Sequence, residues 1–268
     1  MAGFAKTVVL SAALVAAMGV SAQAAQCGKT GAGFEAWKAD FIAENQGRFS
    51  KGALGALAKT SYSTKTINAD RNQKSFKLSF DQFMAKRGGR TIASKGKSLK
   101  RSNAALFQRI EARYGVPAGP LIAIWGMETG FGSYMGNQNT LSAVATLAYD
   151  CRRTEYFTTQ LNAALKLVQT GTLSGASTGA MHGEIGQTQF LPANVLKFGV
   201  DGDGNGRIDL KNKADALAST ANFLRGHGWS AGSGYQPGQG NYGAIQGWNA
   251  ATVYQRAIAV IGAEIDGG

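Results

Sequence analysis

Histidine, cysteine and proline are scarce in this chain: two, two and four residues among 268. His182 and His227 form no His-Glu-x-x-His pair, and no nucleophile-elbow serine is present, so the usual zinc-protease and serine-hydrolase layouts are excluded. Phosphate-binding loops and dinucleotide fingerprints are also missing, and no organic cofactor is expected. Negative charge is in short supply, with 16 acidic residues against 28 basic ones and a formal charge of +12. An anionic partner is the natural consequence. Zinc-finger spacing and the aromatic pattern of RNA-binding motifs are lacking, so nucleic acid is not the expected partner. No apolar run after residue 20 is long enough to cross a bilayer, and none is expected to be a transmembrane segment.

What is present begins with an export pattern. Lys6 precedes an apolar stretch at residues 8–20, and Ser21-Ala22-Gln23-Ala24-Ala25 supplies small residues at cleavage spacing. Residues 1–25 therefore read as a secretory signal peptide, and Gln26 before Cys27 argues against a lipid anchor. Cys27 and Cys151 in an oxidising compartment could form one long-range disulfide, two free buried thiols being the alternative. Thirteen of the basic residues lie between Lys51 and Arg101. An anionic polymer of the cell envelope suits that stretch, although charge runs are more commonly just solvated faces.

Most of the chain has helical periodicity, and the fold class expected is mainly α (α+β). Phe76, Phe80 and Phe83 recur at helical spacing with lysines between them. Leu106 and Ile110 mark a second helix ending near Tyr114-Gly115. Phe157, Leu161, Leu165 and Val168 mark a third, Leu217, Ala221 and Leu224 a fourth, and Val253, Ala257, Val260 and Ile261 the last. The glycine-rich stretches at residues 88–97 and 232–242 read as loops or hairpins. A soft boundary near residues 98–105 separates a basic N-terminal helical region, residues 26–104, from a core at residues 105–268.

One segment carries a candidate acid. Pro120 suits a first helical position. Leu121, Ile124 and Trp125 then fall one or two turns before Glu128, on its face of the helix. Gly130 and Gly132 end the helix. A carboxyl against apolar neighbours resists ionisation, which makes a general acid; a capping or salt-bridging glutamate fits the same position.

A second motif is Asp201-Gly202-Asp203-Gly204-Asn205-Gly206-Arg207-Ile208-Asp209. It matches the opening of an EF-hand-like calcium loop: oxygen side chains at the first, third and fifth positions, glycine at the sixth and a backbone carbonyl, that of Arg207, at the seventh. Asn212 stands where a bidentate glutamate is usual, and Asp215 could close a slightly longer loop over residues 201–215. Weak Ca2+ binding with a structural role is expected, a glycine-rich turn with exposed acids being the alternative.

Several of these segments together resemble a known family. Tyr114-Gly115-Val116-Pro117, Ile124-Trp125-Gly126-Met127-Glu128-Thr129-Gly130-Phe131-Gly132, Ala145-Thr146-Leu147-Ala148-Tyr149-Asp150-Cys151-Arg152-Arg153 and Gly186-Gln187-Thr188-Gln189-Phe190-Leu191-Pro192 occur in this order. The Asp201 loop, Ser219 to Trp229, Asn241-Tyr242, Trp248-Asn249 and Tyr254 continue the match, which is similar to lytic murein transglycosylases of the membrane-bound B type. The resemblance implies a lysozyme-like core and cleavage of the β-1,4 bond between N-acetylmuramic acid (MurNAc) and N-acetylglucosamine (GlcNAc) in peptidoglycan. It implies periplasmic location, a monomer acting on glycan strands, and 1,6-anhydro-muramoyl ends. By position it makes Glu128 the catalytic acid/base and Gln189, Phe190, Asn241, Trp248, Asn249 and Tyr254 the substrate-binding residues. Asp201, Asp203, Asn205, Arg207 and Asp215 become the calcium ligands. Met181-His182 stands where close relatives have an aromatic and a small residue, and Trp248 where a tyrosine is usual; both bear on subsite preference.

Two other readings follow from the same residues. A lysozyme-type muramidase would need a second carboxylate to position water, with Asp150, Glu155 and Glu184 as candidates. A wall-binding or calcium-dependent adhesion module would hold glycan without cutting it.

Overall fold

The computed structural model describes residues 26–72 and 78–267. The signal peptide expected at residues 1–25 lies outside them, as does Phe76. Among the described residues are thirteen α-helices: α1 (Phe34–Glu44), α2 (Lys51–Ala58), α3 (Thr64–Arg71), α4 (Phe80–Arg87), α5 (Gly89–Ser102), α6 (Ala104–Tyr114), α7 (Ala118–Thr129), α8 (Thr140–Tyr149), α9 (Thr154–Gln169), α10 (Pro192–Phe198), α11 (Lys213–Gly226), α12 (Tyr242–Trp248) and α13 (Thr252–Asp266). β1 (Gln138–Asn139) and β2 (Thr178–Gly179) form one short antiparallel pair. The mainly helical class is as expected.

Local sequence explains most of the boundaries. Ser79 caps α4 in a reciprocal box with Gln82, so that helix starts at Phe80. Gly88, at φ 67°, ends α4 and passes directly into α5. This corrects the expectation of a loop or hairpin over residues 88–97. The glycines there serve packing: a Cβ on Gly89 would lie 2.5 Å from Met84 Cε, and one on Gly96 2.5 Å from Ile265 Cδ1. Residues 230–241 are irregular as expected, and Tyr242 already opens α12.

Two apolar clusters hold the molecule together. In the larger, α7 runs against α5, α11 and α13. Leu121, Ile122 and Ile124 have no exposed surface, and each burial contributes about 1.5–3 kcal/mol. A Cβ on Gly119 would meet the Gly262 carbonyl at 2.2 Å, so glycine there lets α7 and α13 approach closely. The helix begins at Ala118, which puts Pro120 third and not first. That position is still within the turn whose N–H groups have no intrahelical partner.

The smaller cluster joins Phe34, Trp37, Leu57 and Ile67 of α1–α3 to Leu147, Leu161 and Leu165 of α8 and α9. Residues 26–104 thus divide between the two clusters, since Phe83 and Ile92 belong to the larger one. Cys27 and Cys151 are joined in a disulfide with Cα atoms 5.0 Å apart. Beside it, the Gly28 N–H donates to the Tyr149 carbonyl at 2.9 Å. Asp70 of α3 pairs with Arg152, and with Arg153 at 2.7 Å, fastening α3 to the start of α9.

Candidate active site

Every residue of α7 except Glu128 is buried. Glu128 is the one position where this apolar helix reaches solvent, and its carboxyl is held from the far end of the chain. Tyr254 Oη donates to Glu128 Oε1 at 2.7 Å, and Trp248 Nε1 donates to the same oxygen at 3.1 Å. Tyr254 belongs to α13 and Trp248 ends α12, so packing of the C-terminal helices on α7 assembles the group. Burial pushes the Glu128 carboxyl above its ordinary range, and the charge of Glu184 adds to that. The two hydrogen bonds and the positive charge of Arg87 oppose it, without prevailing. Burial, with the neighbouring Glu128 carboxylate, raises Tyr254 far above the usual phenol range, so it stays a neutral donor.

A tight turn braces α7 from the other side. Ile185 and Phe190 exchange backbone hydrogen bonds at 2.7 and 3.0 Å. Between them Gln187 Oε1 accepts the Trp125 indole N–H at 2.7 Å, and its carbonyl accepts the Thr129 hydroxyl at 2.6 Å. Gln187 Nε2 donates to the Lys211 carbonyl at 2.6 Å, linking α7 to the acidic loop. Sequence reasoning did not single out Gln187 as a site residue; its place inside the Gly186-to-Pro192 motif was the available signal. Gln189 is partly exposed at the turn, with φ 57° stabilised by Nε2 donating to the Gly186 carbonyl at 2.7 Å.

Other candidate positions serve different ends. Phe190 is 2% exposed and packs its ring 5.4 Å from Trp248, so it backs the indole that touches Glu128 and presents little surface of its own. Asn241 is fully buried. Its Oδ1 accepts the Ser230 N–H, and its Nδ2 donates to the Ser230 and Ser233 carbonyls, all within 2.9 Å. The amide closes the 230–241 loop and presents no free polar atom to a groove, contrary to the expected role. Asn249 Oδ1 accepts the Ala251 N–H at 2.9 Å at the start of α13, though the residue is partly exposed.

Of the three candidate second carboxylates, Asp150 is buried and paired with Arg152 and Arg71. Glu155 is exposed in the first turn of α9. Only Glu184 acts on Glu128 electrostatically. Burial disfavours its charge, but His182, through its ring at 3.0 Å, its backbone N–H at 2.9 Å and its charge, holds it below the usual carboxylate range. Arg87, whose charge reaches Glu128, was not foreseen as a site residue.

The acidic loop brings carboxylate oxygens of Asp201, Asp203 and Asp215 within 4.8 Å of one another. Asp201 accepts the N–H groups of Gly206, Gly204 and Asn205, which hold its carboxyl below the usual range. Asn205 Oδ1 accepts the Arg207 N–H at 2.9 Å. Asn212 is used elsewhere, accepting from Ala214 N–H to cap α11. Asp215, fully buried, takes the closing position, with Oδ1 accepting from Gly202 and Asp203 and Oδ2 from Asp209. Three converging carboxylates, one of them buried, are a donor set suited to a hard divalent cation.

Comparison with known proteins gives a consistent set of matches. The family model described as Transglycosylase SLT domain matches residues 33–239. The membrane-bound lytic murein transglycosylase B of Escherichia coli (strain K12) is 38% identical over 125 residues, covering 44% of this chain and 34% of that protein's length. The crystal structure of SltB3 from Pseudomonas aeruginosa in complex with NAG-anhNAM-pentapeptide is similar with a TM-score of 0.80 and 28% identity, covering 88% of this chain and 80% of that one. The Escherichia coli transglycosylase Slt35 in complex with calcium shares the fold with a TM-score of 0.75 and 22% identity, covering 90% and 96%.

Proposed function

Because the chain belongs to the Transglycosylase SLT domain family, among the lytic murein transglycosylases, we propose that it cleaves the MurNAc-GlcNAc β-1,4 bond of peptidoglycan and leaves 1,6-anhydro-muramoyl ends. The observation that carries this reading is the isolated carboxyl of Glu128, at the solvent end of a buried helix and hydrogen-bonded by Tyr254 and Trp248. The similar SltB3 is complexed with NAG-NAM-pentapeptide and with NAG-anhNAM-pentapeptide, which supports the same substrate class here.

Protonated Glu128 gives its proton to the glycosidic oxygen, O4 of GlcNAc, which departs as a free 4-hydroxyl as its bond to muramoyl C1 breaks. The muramoyl 2-acetamido oxygen stabilises the cation developing at C1. Ionised Glu128, steadied by the Tyr254 and Trp248 donors, then takes the proton from the muramoyl 6-hydroxyl. O6 bonds to C1 and closes the anhydro ring, with no water consumed. One protein carboxyl is sufficient for both steps, and Gln189 and Asn249 offer amides near the sugars.

Glu184 is the feature that favours a muramidase instead, since its charge reaches Glu128. Both of its oxygens, however, accept hydrogen bonds from His182. Digestion of purified sacculi followed by mass spectrometry separates the two chemistries. Anhydro ends support the transglycosylase, reducing ends support water as the acceptor, and no release of fragments supports a binding module.

Asp201, Asp203, Asn205, the Arg207 carbonyl and Asp215 would hold Ca2+, which supplies charge neutralisation to the loop and no step of the reaction. The link from Lys211 through Gln187 to Trp125 and Thr129 carries that rigidity to α7. The export pattern of residues 1–25 and the Cys27–Cys151 disulfide support a periplasmic site of action.

A further inference from the structure

Glu184, whose charge acts on Glu128, is held in place from two directions. His182 engages both of its carboxyl oxygens: the backbone N–H donates to Oε2 at 2.9 Å, and the ring Nδ1 lies 3.0 Å from Oε1. The other ring nitrogen, Nε2, lies 3.6 Å from Asp70 Oδ1. Asp70 is itself fixed, because its side chain is 3% exposed and paired with Arg152 and Arg153. The backbone is held as well. The Glu184 carbonyl accepts the Ala180 N–H at 2.9 Å, and the next residue, Ile185, exchanges hydrogen bonds with Phe190, whose ring backs Trp248. Through one imidazole, α3 is thus tied to the turn that braces α7.

A surface glutamate left to itself samples solvent, where water and salt screen it from its neighbours. A clamped one keeps its charge on the same atoms. Burial disfavours the Glu184 charge, and His182 more than offsets that. The groups around the pair bear on it from other elements. Burial raises the Tyr156 phenol of α9, with Arg153 lowering it and Glu184 adding to the rise. Arg87 of α4, its guanidinium carbon 5.9 Å from the centre of the Tyr254 ring, acts on Glu128 in the sense opposite to Glu184. Resting on the reading of Glu128 as the acid that cuts the glycan, we propose that Asp70 and His182 clamp Glu184 as a positioning residue, a fixed negative charge that keeps the proton on Glu128 until the glycosidic oxygen takes it. Glu184 itself touches no reacting atom in this role and acts through Glu128 alone.

The test follows the Glu128 carboxyl directly, by carbon-13 NMR titration of glutamate-labelled protein, with its signal assigned by its loss in Glu128→Gln. The pH profile of kcat/KM on purified sacculi is measured beside it. Removing the negative charge in Glu184→Gln should move the Glu128 midpoint, and the falling limb of the profile, to lower pH. On that limb kcat/KM should drop about threefold, the weight of one partly exposed charge. His182→Ala, which releases Glu184, should move both in the same direction. The double variant should go no further than Glu184→Gln, because His182 acts through Glu184. His182→Asn, whose amide can donate where Nδ1 did, should largely restore the wild-type midpoint, and Glu44→Gln, at the exposed end of α1, should leave it unchanged. A merely structural clamp would lower Tm or activity at every pH and leave the midpoint in place. An unmoved midpoint in either Glu184→Gln or His182→Ala would overturn the proposal, as would a larger shift in the double variant than in Glu184→Gln. If wild type cuts no glycan, the reading of Glu128 as the acid fails separately, and the NMR midpoints still decide whether the clamped charge acts on it.

Discussion

Tyr254 Oη lies 2.7 Å from Glu128 Oε1 although 126 residues separate the two in the chain. Tyr254 cannot share the negative charge, because burial and the carboxylate itself keep its phenol protonated. It therefore stabilises ionised Glu128 while remaining a neutral donor, which suits the proposed role of giving a proton and then taking one.

Tyr254→Phe removes that donor and keeps the ring under Arg87. Loss of a hydrogen bond to a charged group should lower turnover about tenfold. The bond favours the ionised carboxylate, so its removal raises the Glu128 pKa further. The limb of the kcat/KM profile that falls as the acid deprotonates should move to higher pH. Trp248→Phe, losing a 3.1 Å bond to the same oxygen, should move it the same way. A limb that stays in place or moves down in Tyr254→Phe would contradict this role for the phenol.

These contacts also mark where sequence stops being informative. Glu128 was legible because Pro120, the apolar run and Gly130 describe α7 locally. The acidic cluster was legible because Asp201 and Asp203 lie two residues apart in one glycine-rich run and Asp215 follows closely. Neither pattern says that α12 and α13 fold back so that Trp248 and Tyr254 donate to the acid directly and do not merely line a groove. Asn241 shows the converse limit: an amide suited to sugars is used by Ser230 and Ser233. The glycines of α5 misled for a related reason, since close packing against Met84 and Ile265 requires the same residue as a turn.

Glu128→Gln should abolish turnover by several orders of magnitude if one group serves both steps. It should also make the protein more stable at neutral pH. The folded-state pKa of Glu128 is raised, so the folded chain binds more protons than the unfolded one between the ordinary carboxyl value and the folded value. Wild-type stability therefore falls as pH rises through that window, and the amide escapes the loss. The Tm difference between variant and wild type should widen upward from about pH 4.5 and level off above the folded pKa. A constant difference across that range would mean that Glu128 is not held by burial.

Calcium should raise Tm in proportion to the logarithm of its concentration once the loop begins to fill. With Asn212 in the usual glutamate position, affinity should be weak, about 10⁻⁴ M or poorer. Saturation at a hundredfold excess would contribute about 2.7 kcal/mol, or several degrees at about 2–4 °C per kcal/mol. Asp215→Asn should lose the calcium response and be less stable without the ion, since Asp215 also accepts from Gly202, Asp203 and Asp209. Asp203→Asn, at the exposed carboxylate of the cluster, should lose mainly the response. Equal calcium shifts in wild type and both variants, measured by thermal unfolding with and without chelator, would remove the ion from this loop.

The Cys27–Cys151 disulfide closes a loop of 124 residues, within which lie α1 to α8. Its entropic effect on the unfolded chain is about 4–5 kcal/mol for a loop of that size, an upper figure because native geometry and denatured structure reduce it. Cys27→Ala with Cys151→Ala should lower Tm by roughly 10 °C. The α7 cluster should be little affected, because Cys27 joins the chain at α8 and α9 and Glu128 is held by α12 and α13. Specific activity well below the melting transition should stay within about twofold of wild type, since the two sites share no direct partner. A large drop in activity at an unchanged Tm would show instead that the disulfide positions the cleft, acting through Arg152, Arg153 and Asp70 beside it.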